Sequence, residues 1–333
     1  MKAIRFDHYG EPAKVLTVQE SPLPEPRKGE VRVRILASPV NPSDLLLVRG
    51  LEDTGVQPHF PSPVGFEGVG IVDALGPQVD GPVPGQRVEV INWNGGNLAE
   101  YAVVPVTDVI PVPDDLPDEQ VASFFINPAT AILMLRHVLA IPQGEWLLQS
   151  AASSELGRMI IRLAKHDGIR TVNVVRRHEA VAELKRLGAD VVVVSTEGPI
   201  DEQVRRILGP KGVKYAIDPV VGETGTQMFQ ALGDEGRMLV YGFLTGEPIR
   251  VGVDHHHLAG HRILEVFILP YWFARLDDTA RRRLFQEIVS LIREGILATS
   301  AFRPFSLDEI GTAVTQAEAT GRKGKILLVP QKH

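Results

Sequence analysis

The chain has 333 residues and a formal net charge of −6 at pH 7, with 44% hydrophobic and 23% charged residues. This is the composition of a globular protein long enough for two domains, and its acidic balance provides no basic face for nucleic acid. Since there is no cysteine, no apolar run of roughly 18 residues and no signal-peptide core, we expect a cytoplasmic protein without disulfides, thiolate metal sites or membrane spans.

Residues 1–120 are predicted to form a β-rich, barrel-like domain. Apolar and charged residues alternate in EVRVRIL (residues 30–36), which is the period of a half-buried strand. Shorter runs of the same kind follow in VGIVDAL, QRVEVI and AEYAVV. Turn sequences rich in Pro, Gly and Asn separate these runs, and few helix signals interrupt them.

From residue 117 onward the pattern changes to helices and alternating strands. The segment PDEQVASFFINPATAILMLRHVL has a helical period, with a break expected at Asn127 and Pro128. Six short apolar strands then alternate with helices: EWLLQS, TVNVV, DVVVVS, YAIDPV, RMLVYGF and ILEVFIL. This alternation predicts an α/β fold with a doubly wound parallel sheet of the Rossmann type.

The C-terminal part of the chain is predicted to return to the first domain. An amphipathic helix over residues 279–294 leads to a tail that ends in the strand GKILLVP. We therefore expect residues 1–120 with 271–333 to form the β-rich domain and residues 121–270 to form the Rossmann domain.

The segment 147–177 has the pattern of a dinucleotide-binding unit. An apolar run, LLQSA, meets a tight turn, SSELG, and an amphipathic helix, and the next apolar run, TVNVV, follows that helix. The first N–H groups of the helix in such a unit lack intrahelical partners and face phosphate. The residues expected there are Ser153, Ser154, Glu155, Leu156 and Gly157. An α/β domain with an ordinary loop at this point is the alternative interpretation.

Two arginines end the second strand of this unit. Arg176 and Arg177 lie where an acidic residue would accept the ribose hydroxyls of NAD. An acid there would repel a 2′-phosphate, whereas a guanidinium group pairs with it through two hydrogen bonds. The pair therefore favours NADPH. Two solvated arginines that precede a helix are the alternative.

Several motifs, spaced in order along nearly the whole chain, carry a family resemblance: MKAIRFDHYGEP, SPVNPSDLLLVRG, PVGFEGVGIV, PGQRVEV, INPATAILML, SSELGR, LVYGF and GKILLV. The chain thereby resembles the zinc-independent branch of the medium-chain dehydrogenase/reductase superfamily, which includes quinone oxidoreductases and enoyl thioester reductases. The resemblance implies a GroES-like barrel domain, a Rossmann domain, NADPH as cofactor, a small-molecule substrate and a homodimer joined through the Rossmann sheets.

The resemblance also implies which residues contact NADPH. They are Asn127, Ser153, Ser154, Glu155, Leu156, Arg176, Arg177, His178, Tyr241, Gly242, Phe243, Leu244, Phe267, Ile268, Leu269 and Lys325. The residues that follow predicted strands have independent support, because the carboxyl ends of parallel strands meet at one edge of a sheet. Asn127 and Lys325 rest on the resemblance alone.

The residues argue against catalytic zinc. Related zinc enzymes present a histidine before the glutamate of the GFEG segment, and Phe66 stands at that position here. Cysteine ligands are absent from the whole sequence. His255, His256 and His257 with His261 could hold an adventitious metal, but a polar surface loop is favoured. Hydride transfer without a Lewis acid suits conjugated acceptors, in which charge develops on a distant carbonyl oxygen.

The acid that protonates the product is not identified by the sequence. In enoyl thioester reductases, the resemblance implies a tyrosine proton donor two residues past the glycine of SPVNPSDLLLVRG, but Glu52 stands there. Glu52 is either a substitute acid whose pKa burial would raise or a solvated loop residue, and the second is favoured. Asn41, Asp44 and Asn92 are candidates for hydrogen bonding in the cleft. Asn41 and Asp44 are equally compatible with structural turns.

Glu155 is an unusual residue for a turn that approaches a diphosphate. One hypothesis, which we favour, is that its side chain turns to solvent and only its backbone N–H contacts phosphate. The other is that the carboxylate weakens or abolishes cofactor binding. The helix dipole favours a carboxylate at this position when no anionic ligand is bound.

The sequence therefore predicts an NADPH-dependent, zinc-independent reductase of quinones or α,β-unsaturated carbonyl compounds. Water or an unassigned side chain would supply the proton. A 2-enoyl thioester reductase that lacks the usual tyrosine is one alternative. A catalytically silent NADPH-binding protein is the other, with Glu52 and Glu155 as the features in its favour.

Replacing both Arg176 and Arg177 by alanine should weaken NADPH binding by about 1–3 kcal/mol, because charge-assisted contacts to the 2′-phosphate would be lost. NADH binding should be nearly unchanged. Fluorescence titration of the variant with each cofactor measures both affinities. Equal losses for the two cofactors would show that these arginines do not read the 2′-phosphate.

Overall fold

The computed structural model describes residues 1–51, 59–252, 260–319, 321–322 and 324–330. The chain divides into two compact units. The first unit comprises Met1–Ile126 with Thr299–His333, and the second comprises Asn127–Ala298. Each unit is built around its own apolar core.

The first unit is rich in strands. Its strands are β1 (Lys2–Phe6), β2 (Thr17–Glu20), β3 (Glu30–Pro39), β4 (Ser62–Pro63), β5 (Glu67–Leu75), β6 (Arg87–Ile91), β7 (Tyr101–Pro105), β8 (Val109–Pro111), β15 (Phe302–Phe305) and β16 (Lys325–Leu328). Its helices are α1 (Pro12–Val15), α2 (Pro42–Val48), α3 (Asp118–Ala122) and α11 (Ile310–Glu318).

Strand β3 organises the larger sheet of the first unit. It pairs antiparallel with β5, β7 and β16, and the strand order is β15-β16-β3-β5-β6-β8 with β7 also on β3. Buried and half-buried residues alternate along β3, so Val31, Val33 and Ile35 face the apolar core. A smaller sheet has the order β2-β1-β4. The predicted β-rich, barrel-like domain is confirmed.

The second unit alternates strands with helices. Its strands are β9 (Trp146–Gln149), β10 (Arg170–Val175), β11 (Val191–Val194), β12 (Val213–Asp218), β13 (Leu232–Val240) and β14 (Ile263–Val266). Its helices are α4 (Ile126–Ile132, which begins on the last residue of the first unit), α5 (Glu155–His166), α6 (Val181–Leu187), α7 (Ile200–Leu208), α8 (Gly222–Gln230), α9 (Leu269–Ala274) and α10 (Asp278–Arg293).

All six strands of this unit are parallel, in the order β11-β10-β9-β12-β13-β14. The order reverses between β9 and β12, which makes this point the topological switch of a Rossmann sheet. Central strands such as β10 are buried over almost their whole length, which explains their continuous apolar sequences. The predicted doubly wound sheet is confirmed.

Residues 271–298 lie in the second unit, whereas the sequence placed them with the first. Ion pairs and hydrogen bonds hold them there. Arg136 forms an ion pair with Glu287 on α10. The guanidinium group of Arg162 on α5 donates to the carbonyl oxygens of Ile296 (2.7 Å) and Ala298 (2.6 Å). Only the chain from Thr299 onward returns to the first unit.

The expected break at Pro128 lies earlier in the structure. Helix α3 ends at Ala122, and α4 begins at Ile126 and continues into a π-helical segment, Leu133–Val138. Pro128 is therefore in the first turn of α4, where its missing N–H removes no intrahelical hydrogen bond.

Within the described part of the chain, no helix is long and apolar enough to cross a membrane.

Candidate nucleotide-binding site

The carboxyl edge of the parallel sheet brings together most of the predicted contact residues. The turn 150–154 follows β9, and Arg176 follows β10. Tyr241 follows β13 directly, and Phe267 follows β14 directly. Ligands of open α/β sheets bind outside the carboxyl ends at the switch point. The second unit therefore has a candidate nucleotide-binding site at this edge.

The turn after β9 is fixed by a helix cap. The N–H of Gly157 donates to the Ser154 hydroxyl oxygen (3.0 Å), and the N–H of Ser154 donates to the carbonyl oxygen of Ala151 (2.8 Å). Ala151 has a φ of +48°, which an L-residue seldom adopts. The first N–H groups of a helix lack intrahelical acceptors as a rule, so the start of α5 is suited to an anion.

Gly157 allows α5 to approach this turn closely. A Cβ atom there would lie 2.6 Å from the carbonyl oxygen of Ala152 and 2.7 Å from that of Ala151. Both are backbone atoms that cannot move aside, so the turn needs glycine at this position. Close packing of helix and strand is the role of a glycine in dinucleotide-binding turns, and the residues present fit a dinucleotide.

Two buried amides connect the strands beneath the turn, and sequence reasoning missed both. The Nε2 group of Gln149 donates to Asn173 Oδ1 (2.6 Å) and to the carbonyl oxygen of Gly157 (3.1 Å). Asn173 in turn donates to the Val191 carbonyl oxygen (3.0 Å). The signal available was a polar residue within each of two apolar runs, LLQSA and TVNVV.

Arg176, Arg177 and His178 are exposed. Within the described residues, neither guanidinium group has a hydrogen bond or ion pair to another side chain, so both can meet a ligand. His178 contacts Glu197 through Nδ1 (3.1 Å). The structure thus places the two arginines at the end of β10, as the sequence predicted, and their contact with a 2′-phosphate stays a prediction.

Glu155 does not turn to solvent. Its side chain is only 9% exposed, and its carboxylate lies 3.9 Å from the guanidinium group of Arg158, one helical turn along α5. Arg158 also forms an ion pair with Glu183 (2.9 Å). The charge of Glu155 further acts on Arg162, whose pKa is lowered by burial. The negative charge is therefore compensated within the helix that carries it.

The other predicted contacts vary in exposure. Phe243, Leu244 and Ile268 are exposed, Phe267 and Leu269 are buried, and Asn127, Ser153, Leu156, Tyr241 and Gly242 are half-buried. The hydroxyl group of Tyr241 is buried and has no hydrogen-bond partner among the described residues. Burial, with the nearby Asp218 carboxylate, raises the pKa of Tyr241.

Lys325 belongs to the first unit, where it is buried in a polar cluster. Its ammonium group donates to Asn41 Oδ1, and Asn41 Nδ2 donates to Glu67 Oε1 (3.0 Å). Glu67 also accepts from the N–H of Ile126 (2.8 Å). Asp44 accepts from the N–H of Asn41 (2.7 Å), which makes a capping box at the start of α2. In this structure, Asn41 and Asp44 have structural roles.

Burial raises the pKa values of the acids in this cluster. The pKa of Asp44 is raised to about 7, and the pKa values of Glu67 and Glu89 are also raised. The positive charge of Lys325 opposes these shifts at Asp44 and Glu67. The buried Lys325 cation thus acts on two buried carboxyl groups, those of Asp44 and Glu67. Its contact with NADPH stays a prediction.

The described structure assigns no catalytic role to the two remaining candidates, Asn92 and Glu52. Asn92 is buried in the first unit, where its Nδ2 group donates to Asn97 Oδ1 (3.2 Å). Glu52 lies outside the described residues, and so do His255, His256 and His257.

Comparison with known proteins gives a family match in both units. Residues 27–114 match the alcohol dehydrogenase GroES-like domain, and residues 156–279 match a domain described as zinc-binding dehydrogenase. Human mitochondrial enoyl-[acyl-carrier-protein] reductase is 30% identical over 318 residues, which covers 94% of this chain and 84% of the human protein. The chain belongs to the medium-chain dehydrogenase/reductase superfamily.

Solved structures of this superfamily match along the full chain. A candidate NADPH:quinone reductase from Bacillus thuringiensis gives a TM-score of 0.91 at 28% identity, with 99% of each chain covered. A mycobacterial protein solved with NADPH gives a TM-score of 0.88 at 26% identity, with 99% of this chain and 100% of that chain covered.

The residues of this superfamily member do not fit the zinc site that one domain description names. Phe66 replaces the histidine of the zinc enzymes, and the sequence has no cysteine. Among the residues that the structure describes, no group of three or more His, Asp and Glu side chains could hold a metal ion. The described residues therefore offer zinc no ligand set of the kind that the zinc enzymes use.

Glu155→Gln should strengthen the binding of an anionic dinucleotide such as NADPH. The change removes a negative charge at the amino end of α5, an effect of about 0.3–1 kcal/mol that added salt should reduce. Fluorescence titration at low and high salt measures it. Glu202→Gln, in the first turn of α7, is the matched control and should change nothing. Weaker binding by Glu155→Gln would contradict the prediction.

Proposed function

We propose that the protein is an NADPH-dependent reductase of quinones or α,β-unsaturated carbonyl compounds. The observation that carries the proposal is the pair Arg176 and Arg177 at the carboxyl end of β10, whose side chains are exposed and whose guanidinium groups have no partner among the described residues. In the same sheet, the capped turn at Ser154 and the close approach at Gly157 provide a surface for a diphosphate.

NADPH, when bound, supplies a hydride to an electron-poor carbon of the acceptor. The chain's own residues would hold the cofactor: the first N–H groups of α5 at the diphosphate, and the two arginines at the 2′-phosphate. With that hydride the acceptor would gain two electrons and one proton, and a second proton from water would complete its reduction. No side chain of the described residues is assigned as the proton donor.

Phe66 at the position of the zinc-binding histidine, together with the cysteine-free sequence, supports a conjugated acceptor. A simple ketone or aldehyde needs stabilisation of charge on the oxygen next to the reacting carbon. In a quinone or enone, the charge spreads over a conjugated system to a more distant oxygen. The B. thuringiensis relative, at 28% identity, is described as a candidate quinone reductase, which agrees with this class.

A second candidate function is the reduction of 2-enoyl thioesters. It is favoured by the curated relatives, since the human, rat and amoebal proteins are all named enoyl-[acyl-carrier-protein] reductase. Glu52 at the position of the expected tyrosine proton donor speaks against it. These relatives are named as mitochondrial, and the cytoplasmic location of this chain stays a prediction.

Stopped-flow and steady-state oxidation of NADPH with three acceptors test the proposal. We expect turnover of a simple quinone and of a small enone, and little turnover of crotonyl thioester. NADH at the same concentration is the control for cofactor choice and should give much slower turnover.

The outcomes separate the candidates. Oxidation of NADPH only with the thioester would replace the proposed function by the second one. Tight NADPH binding without oxidation by any acceptor would indicate a catalytically silent protein.

We further propose that the protein is a homodimer joined at strand β14. Among the described strands, β14 pairs only with β13, so it is the edge of the sheet. The edge carries exposed apolar side chains at Ile263, Leu264, Val266 and Ile268, between 39% and 49% exposed. An exposed apolar edge strand is a template for pairing, and a second copy related by a two-fold axis would cover it.

Val266→Asp should convert the dimer to a monomer, because a buried unpaired charge would face the partner chain. Light scattering after gel filtration measures the mass, which should fall from about twice 36.5 kDa to 36.5 kDa. Ile207→Asp, at an equally exposed apolar position on α7, is the control and should stay dimeric. A wild-type protein that is monomeric at micromolar concentration would refute the dimer.

A further inference from the structure

A buried hydrogen bond joins the two strands on either side of the switch point. Asp218 is the last residue of β12, and Ser150 directly follows β9. The register pairs Ile217 with Gln149, so the next residues, Asp218 and Ser150, lie side by side. The Ser150 hydroxyl group donates to Asp218 Oδ1, and both residues are fully buried. Ser150 is also the first residue of the turn that ends at the Ser154 cap.

The same carboxylate holds the loop that follows β12. Its Oδ1 atom accepts from the N–H of Val220 (2.9 Å), and its Oδ2 atom accepts from the N–H of Val221 (2.9 Å). Val221 has a φ of +59°, a conformation that a β-branched residue rarely adopts. Such a conformation persists only where its surroundings hold it, and it occurs often at functional sites.

The loop is tied to the neighbouring strand as well. The N–H of Tyr241, which follows β13, donates to the Asp218 carbonyl oxygen (3.0 Å), and the N–H of Leu244 donates to that of Pro219 (2.9 Å). A Cβ atom at Gly225 would lie 2.7 Å from Asp218 Oδ2, so helix α8 needs glycine there to pass this close to the carboxylate. Asp218 thus connects the ends of three strands at the edge of the sheet, through its side chain to the turn after β9 and through its backbone carbonyl to the residue after β13.

We propose that Asp218 is a positioning residue for the dinucleotide: its carboxylate fixes the phosphate turn through Ser150 and the strained Val220–Val221 peptide at once. This inference rests on the proposed NADPH function. Asp218 is fully buried and is placed to act through Ser150 and the loop, without contact with the cofactor itself.

Asparagine at position 218 cannot replace the carboxylate. Asp218 accepts hydrogen bonds at both oxygens, whereas the amide has one oxygen and one NH2 group. In either orientation, the NH2 group faces a backbone N–H, of Val220 or of Val221, and one hydrogen bond becomes a repulsive contact. The expected result is displacement of the loop and of the adjoining turn, in a protein that keeps its core.

The test compares the wild type with two variants by fluorescence titration of NADPH, thermal melting and steady-state kinetics. Asp218→Asn should raise the dissociation constant and the KM for NADPH by about tenfold or more, with kcat at saturating NADPH changed much less. Ser150→Ala removes only the link between the strand ends and should raise the dissociation constant by a smaller factor. It keeps the test valid if Asp218→Asn fails to fold.

Two results would overturn the inference. One is a lower melting temperature of Asp218→Asn with an unchanged dissociation constant for NADPH. The other is Ser150→Ala binding NADPH as tightly as the wild type. Failure of the wild-type protein to bind NADPH at all would instead refute the proposed function, so the two failures are distinguishable.

Discussion

Parallel alignment of the described strands in one sheet is the constraint on which the second unit depends. Strands covered on both faces must be apolar, and their shared direction brings every carboxyl end to one edge. Polar side chains that fall at this edge are buried and need partners. The Nε2 group of Gln149, the side chain of Asn173 and the carboxylate of Asp218 find these partners on neighbouring strands and turns. These hydrogen bonds connect the strand ends to the turns that follow them.

The charges at this edge are divided between exposed cations and compensated acids. Arg176 and Arg177 are exposed and are available to an anionic ligand. Glu155, in contrast, is covered and lies within reach of Arg158, which Glu183 also contacts. Since opposite charges a few ångströms apart largely cancel at a distance, the ligand would meet a turn with little net negative charge. A carboxylate in a phosphate turn is then compatible with dinucleotide binding.

The sequence predicts those features of the fold that depend on local periodicity. The alternating pattern of β3 and the short apolar runs of the parallel sheet gave the right strands in both units. Helix α10 was also predicted at the right place in the sequence, but it was assigned to the first unit and lies in the second. Its assignment to the second unit depends on Arg136 and Arg162, which meet residues more than a hundred positions away. No periodicity carries that information.

The site shows the same division. Residues that follow predicted strands, such as Arg176 and Tyr241, lie at the sheet edge because connection rules for parallel strands place them there. The contact between Ser150 and Asp218 could be found only from the strand order. The two residues are 68 positions apart in the chain, and they meet because β9 and β12 are neighbours across the switch point. The link between Asn41 and Lys325 spans 284 residues.

The buried cluster of the first unit is explained by the energetics of charge burial. A lysine removed from water needs an anion nearby, and Asp44 and Glu67 both act on Lys325 through their charge. Burial is the largest cause of the raised pKa values of Asp44, Glu67 and Glu89, and the positive charge of Lys325 opposes the shift at Asp44 and Glu67. Asn41 then joins Lys325 to Glu67, and Glu67 holds the N–H of Ile126, where α4 begins. The polar cluster therefore fixes the backbone at Ile126, the last residue of the first unit, and it provides the partners that a buried lysine needs.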